Sequence, residues 1–155
     1  MADATPTPSL TIRGQYIKDL SFEAPKGPFV MSQLKESPKM DVNVDLEGTK
    51  VSDDLYELTL KTSVKANSQE GEALFVAELA YGGLFQIQNA EDERIQPMLF
   101  IDCAFILFPF ARRVMADVTR DGGFPPLMLE PIDFHSLFVK RAEAAQAEAG
   151  NKEAG

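Results

Sequence analysis

The sequence predicts an α+β domain, a four-stranded antiparallel sheet with helices packed on one side. Three observations lead there. Four segments before Asn89 carry the two-residue apolar period of strands, helical spacing replaces it after Asn89, and 155 residues is the length of one domain. A chain of this size can bury roughly 70% of the surface its unfolded form exposes, so a core forms without disulfides or a structural metal.

The first strand is expected over 10–22, where Leu10, Ile12, Tyr16, Leu20 and Phe22 alternate with Thr11, Arg13, Gln15, Asp19 and Ser21. It stops at the two prolines of 24–28, which lack ladder donors. The second strand places Met40, Val42, Val44 and Leu46 on one face and Asp41, Asn43, Asp45 and Glu47 on the other, and is expected to end at Gly48. The third is the most regular. Tyr56, Leu58, Leu60, Thr62, Val64 and Ala66 alternate with Glu57, Thr59, Lys61, Ser63 and Lys65, which makes one face dry and the other wet. In the fourth, 72–81, Phe75, Ala77, Leu79 and Tyr81 share one face, while Leu74, Val76 and Ala80 surround Glu78 on the other. Apolar content on both faces calls for a cover or a partner on the second. Gly82-Gly83 is expected to interrupt this strand before 84–87, as a bulge or bend would.

Glu91, Asp92 and Glu93 stand where the positive end of a helix favours acids, so a helix begins there. Pro109 predicts a break near 104–108, followed by a second helical stretch over 110–120 that Asp121-Gly122-Gly123 stops. The prolines of 124–131 make an extended connector. Asp133 is an N-cap for a last helix carrying Phe134, Leu137 and Phe138 at i, i+3, i+4 spacing. Segment 1–9 is expected to be flexible, 10–142 to form the folded domain, and 143–155, which lacks large apolar residues, to be a disordered tail.

With 24 acidic and 15 basic side chains, the net charge is −9 and the pI about 4.6. Such a chain gains nothing from counterion release on phosphate backbones, so basic partners are expected and nucleic acid is not. The single Cys103 and single His135 exclude a disulfide framework and a Cys/His zinc cage, and fit a reducing, cytoplasmic location. The N-terminus has no basic segment ahead of an apolar one, so it does not read as a secretory signal. The most apolar stretch, 98–110, is shorter than the ~20 residues of a membrane span and contains Asp102 and Pro109, so membrane insertion is not expected.

No motif for covalent chemistry appears. There is no G-x-S-x-G, no H-E-x-x-H and no phosphate-binding glycine pattern, and the glycine pairs lack the required spacing. Cys103 lies in an apolar run, where a thiol is buried and inert, and His135 sits in a helix's first turn. Asp53-Asp54 and the 91–93 acids have turn and helix-start roles. The reading is therefore a non-enzymatic protein with no cofactor and no metal. The run from Leu99 to Phe108 is apolar nearly all round, more than one sheet can bury, so a second subunit is expected. Leu74 and Val76 of the fourth strand and Phe105, Phe108 and Met115 of the helical region are the candidate interface residues.

The strings Tyr16-Ile17-Lys18-Asp19-Leu20-Ser21-Phe22-Glu23-Ala24-Pro25, Gly82-Gly83-Leu84-Phe85 and Ile106-Leu107-Phe108-Pro109-Phe110-Ala111-Arg112 resemble the bacterial protein-export chaperone family SecB. Gly123-Phe124-Pro125-Pro126 and Pro131-Ile132-Asp133-Phe134-His135-Ser136-Leu137-Phe138 extend the resemblance in order over 10–140. It implies a homotetramer, a dimer of dimers, acting in the cytosol as an ATP-independent holdase that binds unfolded precursor proteins and hands them to SecA. It also implies a SecA-binding surface of sheet residues, here Asp19, Glu23, Val76 and Glu78. A second family contact lies in the C-terminal tail, which here carries only about one net negative charge over 141–155. The client groove is assigned to Met40, Val42 and Val44, with Phe124, Leu127 and Met128 of the connector and Phe134, Leu137 and Phe138 of the last helix. Such side chains adapt to varied sequences. Family members often carry a tryptophan before the second strand; this chain has none, and Leu34 takes that place. A SecB-like chaperone of a toxin–antitoxin system is the alternative.

Overall fold

A computed structural model describes residues 6–154. Four antiparallel strands, β1 (Ser9–Glu23), β2 (Lys39–Ser52), β3 (Leu55–Asn67) and β4 (Ala73–Gln88), form one sheet in the order β1-β4-β3-β2. β1 and β2 are therefore its two edges. Of the segment expected to be flexible, residues 1–5 lie outside the described residues and Ser9 already begins β1.

The sheet's inner face is continuous because the register keeps apolar residues in rows. Val42, Val64, Ala77 and Phe22 form one such row, and Leu46, Leu60, Tyr81 and Ile17 another. In β1 this needs two bulges, at the register shifts between Ile12 and Gly14 and between Ile17 and Asp19. Each bulge adds one residue and exchanges the two faces. Ile12, Ile17 and Leu20 therefore all point to the inner side, whereas Tyr16, expected among the apolar set, pairs with Gly82 on the outer side.

Two glycine expectations are corrected. β2 does not end at Gly48 but runs on to Ser52, because Gly48 is where the helical layer touches the sheet: a Cβ there would lie 2.9 Å from both Leu99 Cδ2 and Phe100 Cζ. Nor does Gly82-Gly83 interrupt β4, whose pairing with β3 continues through both residues. Each glycine instead clears one face. A Cβ on Gly82 would meet the Tyr16 ring at 2.5 Å outside, and one on Gly83 would meet Leu107 of the helical layer at 2.7 Å inside.

That layer is one continuous helical rod. It consists of α1 (Asp92–Pro97), a π-helical segment (Met98–Cys103) and α2 (Ala104–Asp121), with Asp92 and Glu93 in the first turn as expected. The break expected at 104–108 is absent and Pro109 lies inside α2. An interior proline costs about 3 kcal/mol, which burial of Leu107, Phe108 and Ala111 around it exceeds. The departure from α geometry falls one stretch earlier, where Leu99 and Cys103 are both buried. α2 ends as expected: Gly122 and Gly123 donate to Val118 and Arg120, and Gly123 has φ +88°.

The connector from 124 to 133 is pinned by one hydroxyl. Thr119, fully buried, donates to the carbonyls of Met115 and Ala116 and accepts from Leu127 N–H at 2.9 Å. Asp133 then caps α3 (Phe134–Ala154), accepting from the Ser136 N–H at 3.0 Å and the Ser136 hydroxyl at 2.7 Å. The tail expected to be disordered from Glu143 is helical to Ala154, with 140–152 exposed. Ala, Glu and Lys are strong helix formers, and a first turn already docked removes the nucleation cost, so the helix continues without burying anything.

Thr119→Val keeps the volume and removes Leu127's acceptor. It should lower unfolding stability by about 1–3 kcal/mol, read as an earlier denaturant midpoint with an unchanged slope.

Candidate functional site

The outer face of the β1–β4 pair gathers the expected acids. Glu23 pairs with Val76, Ser21 with Glu78 and Asp19 with Ala80, so alternate residues of two strands place Asp19, Glu23, Val76 and Glu78 together. All three carboxylates are exposed, and Val76 is half-buried. None of the three is in an ion pair among the described residues, unlike Glu47 with Lys61 at 2.7 Å and Glu57 with Lys18 at 2.8 Å on the same face. Asp19 and Glu78 line a shallow depression of about 420 Å³ that continues across the sheet to Ser63, Asn43 and Asp45. Lys61 also lines it, so the concave surface is net negative, and its Asp19 and Glu78 carboxylates are uncommitted, suited to a basic partner.

Beside it, Tyr16 lies across Gly82 and donates to Glu57, which also accepts from Lys18. This spans β1 to β3. Burial first, then the bond to Glu57, pushes the Tyr16 phenol up to about 12, while Lys18 and then Tyr16 hold the Glu57 carboxyl below its ordinary value.

On the inner side the expected client residues divide. Met40, Val42 and Met128 are exposed, and Val44, Leu127, Leu137 and Phe138 are partly buried. Phe124 and Phe134 are corrected to core. Phe124 packs against Phe75 and Phe22 with centroids 4.9 and 6.0 Å away, and Phe134 meets Phe105 and Phe108 edge-on at 5.3 and 5.9 Å. The connector anchors through Phe124 and Leu129 and α3 through Phe134, leaving Met128 and Val139 exposed. Arg141 adds a second anchor for α3, with its guanidinium 5.1 Å from the Phe100 ring centre and a bond to the Leu46 carbonyl.

The expected interface residues also divide. Leu74, Met115 and nearly all of Phe108 are already buried by their own chain, and so have little or no surface for a second copy, whereas Phe105 is exposed and Val76 partly so. The inner side instead carries an uncovered set that the sequence reading missed, Ile12, Ile17, Leu20 and Phe110, with Phe110 stacked on Tyr81. The bulges hid Ile17. Phe29, between the first two strands, is 80% exposed and was also missed.

A family model described as "Preprotein translocase subunit SecB" matches residues 3–145. The chain belongs to the SecB family. Proteins named "Protein-export protein SecB" from Bartonella bacilliformis and Rhodospirillum rubrum are 46% and 42% identical to it, over 90% and 99% of this chain and 87% and 98% of theirs. The one from Sphingopyxis alaskensis is 47% identical over 92% of this chain and 81% of its own. A solved structure of a Mycobacterium tuberculosis SecB-like chaperone, in complex with a ChAD peptide from the HigA1 antitoxin, superposes with a TM-score of 0.67. It covers 80% of this chain and 91% of its own at 16% identity, a likeness of fold. Within this SecB chain, no cluster of metal-ligating side chains and no helix long and apolar enough to cross a membrane occur among the described residues.

The Tyr16–Glu57 bond has a pH signature. The folded phenol holds its proton above the ordinary value of 10.0, so its stabilisation is full below pH 10 and is lost as the pH rises toward 12. Glu57 has the opposite sign: its contribution is present above the ordinary carboxylate range and is lost as the pH falls through its lowered value. Ultraviolet titration should find a late phenolate, and Glu57→Gln should bring it down; an unmoved titration would count against the assignment.

Proposed function

We propose that this SecB chain is an ATP-independent holdase of the cytosol that binds unfolded precursor proteins, keeps them competent for translocation and delivers them to SecA. The observation that carries the reading is the pairing of two unsatisfied surfaces of opposite chemistry on one small sheet. Met40, Val42 and Met128 are exposed on one side, and Asp19, Glu23 and Glu78 on the other have no ion-pair partner among the described residues. With no nucleotide to drive release, a holdase acts by mass action: it lowers the free concentration of the unfolded chain and lets it go by dissociation or competition. That requires a tolerant surface of many weak contacts, which exposed Met and Val side chains supply. The acidic surface, with Val76 at its margin, is the SecA contact.

Ile12, Ile17, Leu20, Phe105 and Phe110, apolar and uncovered in the single chain, are the surface through which copies associate, and a homotetramer arranged as a dimer of dimers is the assembly. No catalysis is part of this function. The antitoxin-peptide complex shares the fold at 16% identity, and no observation on this chain favours that role.

The direct test is whether the purified protein slows refolding of a signal-bearing precursor; refolding at the unassisted rate overturns the reading. Asp19→Lys with Glu78→Lys should weaken SecA binding about tenfold or more, less so at high salt, and leave precursor binding unchanged. Light scattering should give four times the 17.1 kDa subunit mass, and Ile17→Asp with Phe110→Asp should reduce it without loss of secondary structure.

A further inference from the structure

Carboxylates draw a basic partner only while no lysine of their own sheet occupies them. The acidic depression is exposed to that competition. Lys61 is the one cation among its lining residues, and the register puts it within reach of both uncommitted acids. Asp19, Ala80 and Lys61 form one row across β1, β4 and β3, with only the methyl of Ala80 in the row between the two charged side chains. Glu78 pairs with Ser63, two residues from Lys61, and such diagonal neighbours stand about 7–8 Å apart, a span that long side chains bridge. Asp45 lies directly opposite Lys61 on β2. The Lys61 ammonium nevertheless pairs with none of these three. It lies 2.7 Å from Glu47, which stands one outer-face position beyond Asp45 and outside the lining of the depression. Lys18, next to Asp19 in the chain, is turned aside in the same way, by Glu57 at 2.8 Å.

We propose that Glu47 is a positioning residue of the acidic surface: it holds the Lys61 ammonium out of the depression and so keeps Asp19 and Glu78 vacant for the cationic groups of the partner. The inference rests on the reading of this surface as the SecA contact and specifies what keeps that contact competent. Two arrangements compete. In one, Lys61 bridges to Glu47 and the depression is open to a basic side chain. In the other, Lys61 lies over Ala80 against Asp19 or Glu78, and a partner has to displace it. Apparent affinity falls with the fraction of chains in the closed arrangement. Asp45 does not draw Lys61 back, because it already has a cation in Arg141, 3.4 Å away. The Glu47 and Lys61 side chains are 60% and 50% exposed, so their pair adds little to stability, and its consequence lies in where it leaves the ammonium. Lys65, diagonal to Glu78 from the other side, lies outside the lining and is common to every variant below.

Titration calorimetry of purified SecA against the full chain, Glu47→Gln, Lys61→Gln and the double variant gives a double-mutant cycle. Glu47→Gln should weaken binding about tenfold in the native chain but only about twofold in a chain carrying Lys61→Gln. The smaller loss is that of one negative charge, and the difference is that of displacing Lys61. Lys61→Gln alone should tighten binding no more than about twofold. Both positions are exposed, so circular dichroism should be the same for all four chains. In Glu47→Gln, nuclear Overhauser contacts from the Lys61 side chain should reach the Ala80 methyl and Glu78, and a Lys61 that stays clear of both overturns the proposal. Equal losses in the two backgrounds overturn it as well, since net charge alone then accounts for them, and the SecA reading stands. If the native chain does not bind SecA, or binds it no better than Asp19→Lys with Glu78→Lys, that reading fails and the proposal with it.

Discussion

A four-stranded sheet presents two faces and two edges, and this chain covers only one face. The helical rod from Asp92 to Asp121 and the connector close over the inner side of β3 and β4, where Leu58, Leu60, Val64, Ala77 and Phe85 are essentially inaccessible. The cover runs out toward both edges: Ile12, Ile17 and Leu20 on β1 and Met40 and Val42 on β2 remain uncovered. Every surface proposed above to bind a partner is one that this incomplete cover leaves open. Their positions follow from strand order, since β1-β4-β3-β2 sets the acids of β1 and β4 at one end of the sheet and the exposed Met40 and Val42 of β2 at the other.

How much of this the sequence discloses depends on whether the period survives. In β3 it does: no register shift falls between 56 and 66, and its dry and wet faces are read directly from alternation. In β1 two bulges exchange the faces twice, and nothing in the residue types marks the added positions, so Tyr16 and Ile17 read on the wrong sides. The glycine pair in β4 is visible, but its purpose depends on a tyrosine from one direction and a leucine from the other. Pro109 and the tail fail for a related reason. A proline rule states a cost, and a composition rule states what cannot be buried, but neither weighs the docked residues next to it. Phe108 and Ala111 hold the helix through Pro109, and Phe134 and Leu137 start the helix that the tail only prolongs.

The acidic surface was legible and the apolar one only half so. Charges stay outside in any register, and acids on two adjacent strands need only the right parity to meet. Apolar residues satisfy the same pattern whether they end as floor or as rim. Phe124 and Met128 sit four residues apart in one proline-rich connector, yet one completes an aromatic cluster with Phe22 and Phe75 and the other is 61% exposed. Thr119 holds the connector at Phe124 and Leu127 through two hydrogen bonds that no periodicity encodes.

The two surfaces are not independent. Asp45 lines the depression that holds Asp19 and Glu78, and it is also the carboxylate beside Arg141. Arg141 in turn fastens α3 through Leu46 and Phe100. Asp45 thus lies on the acidic face, on edge strand β2, and beside the Arg141 side chain of α3.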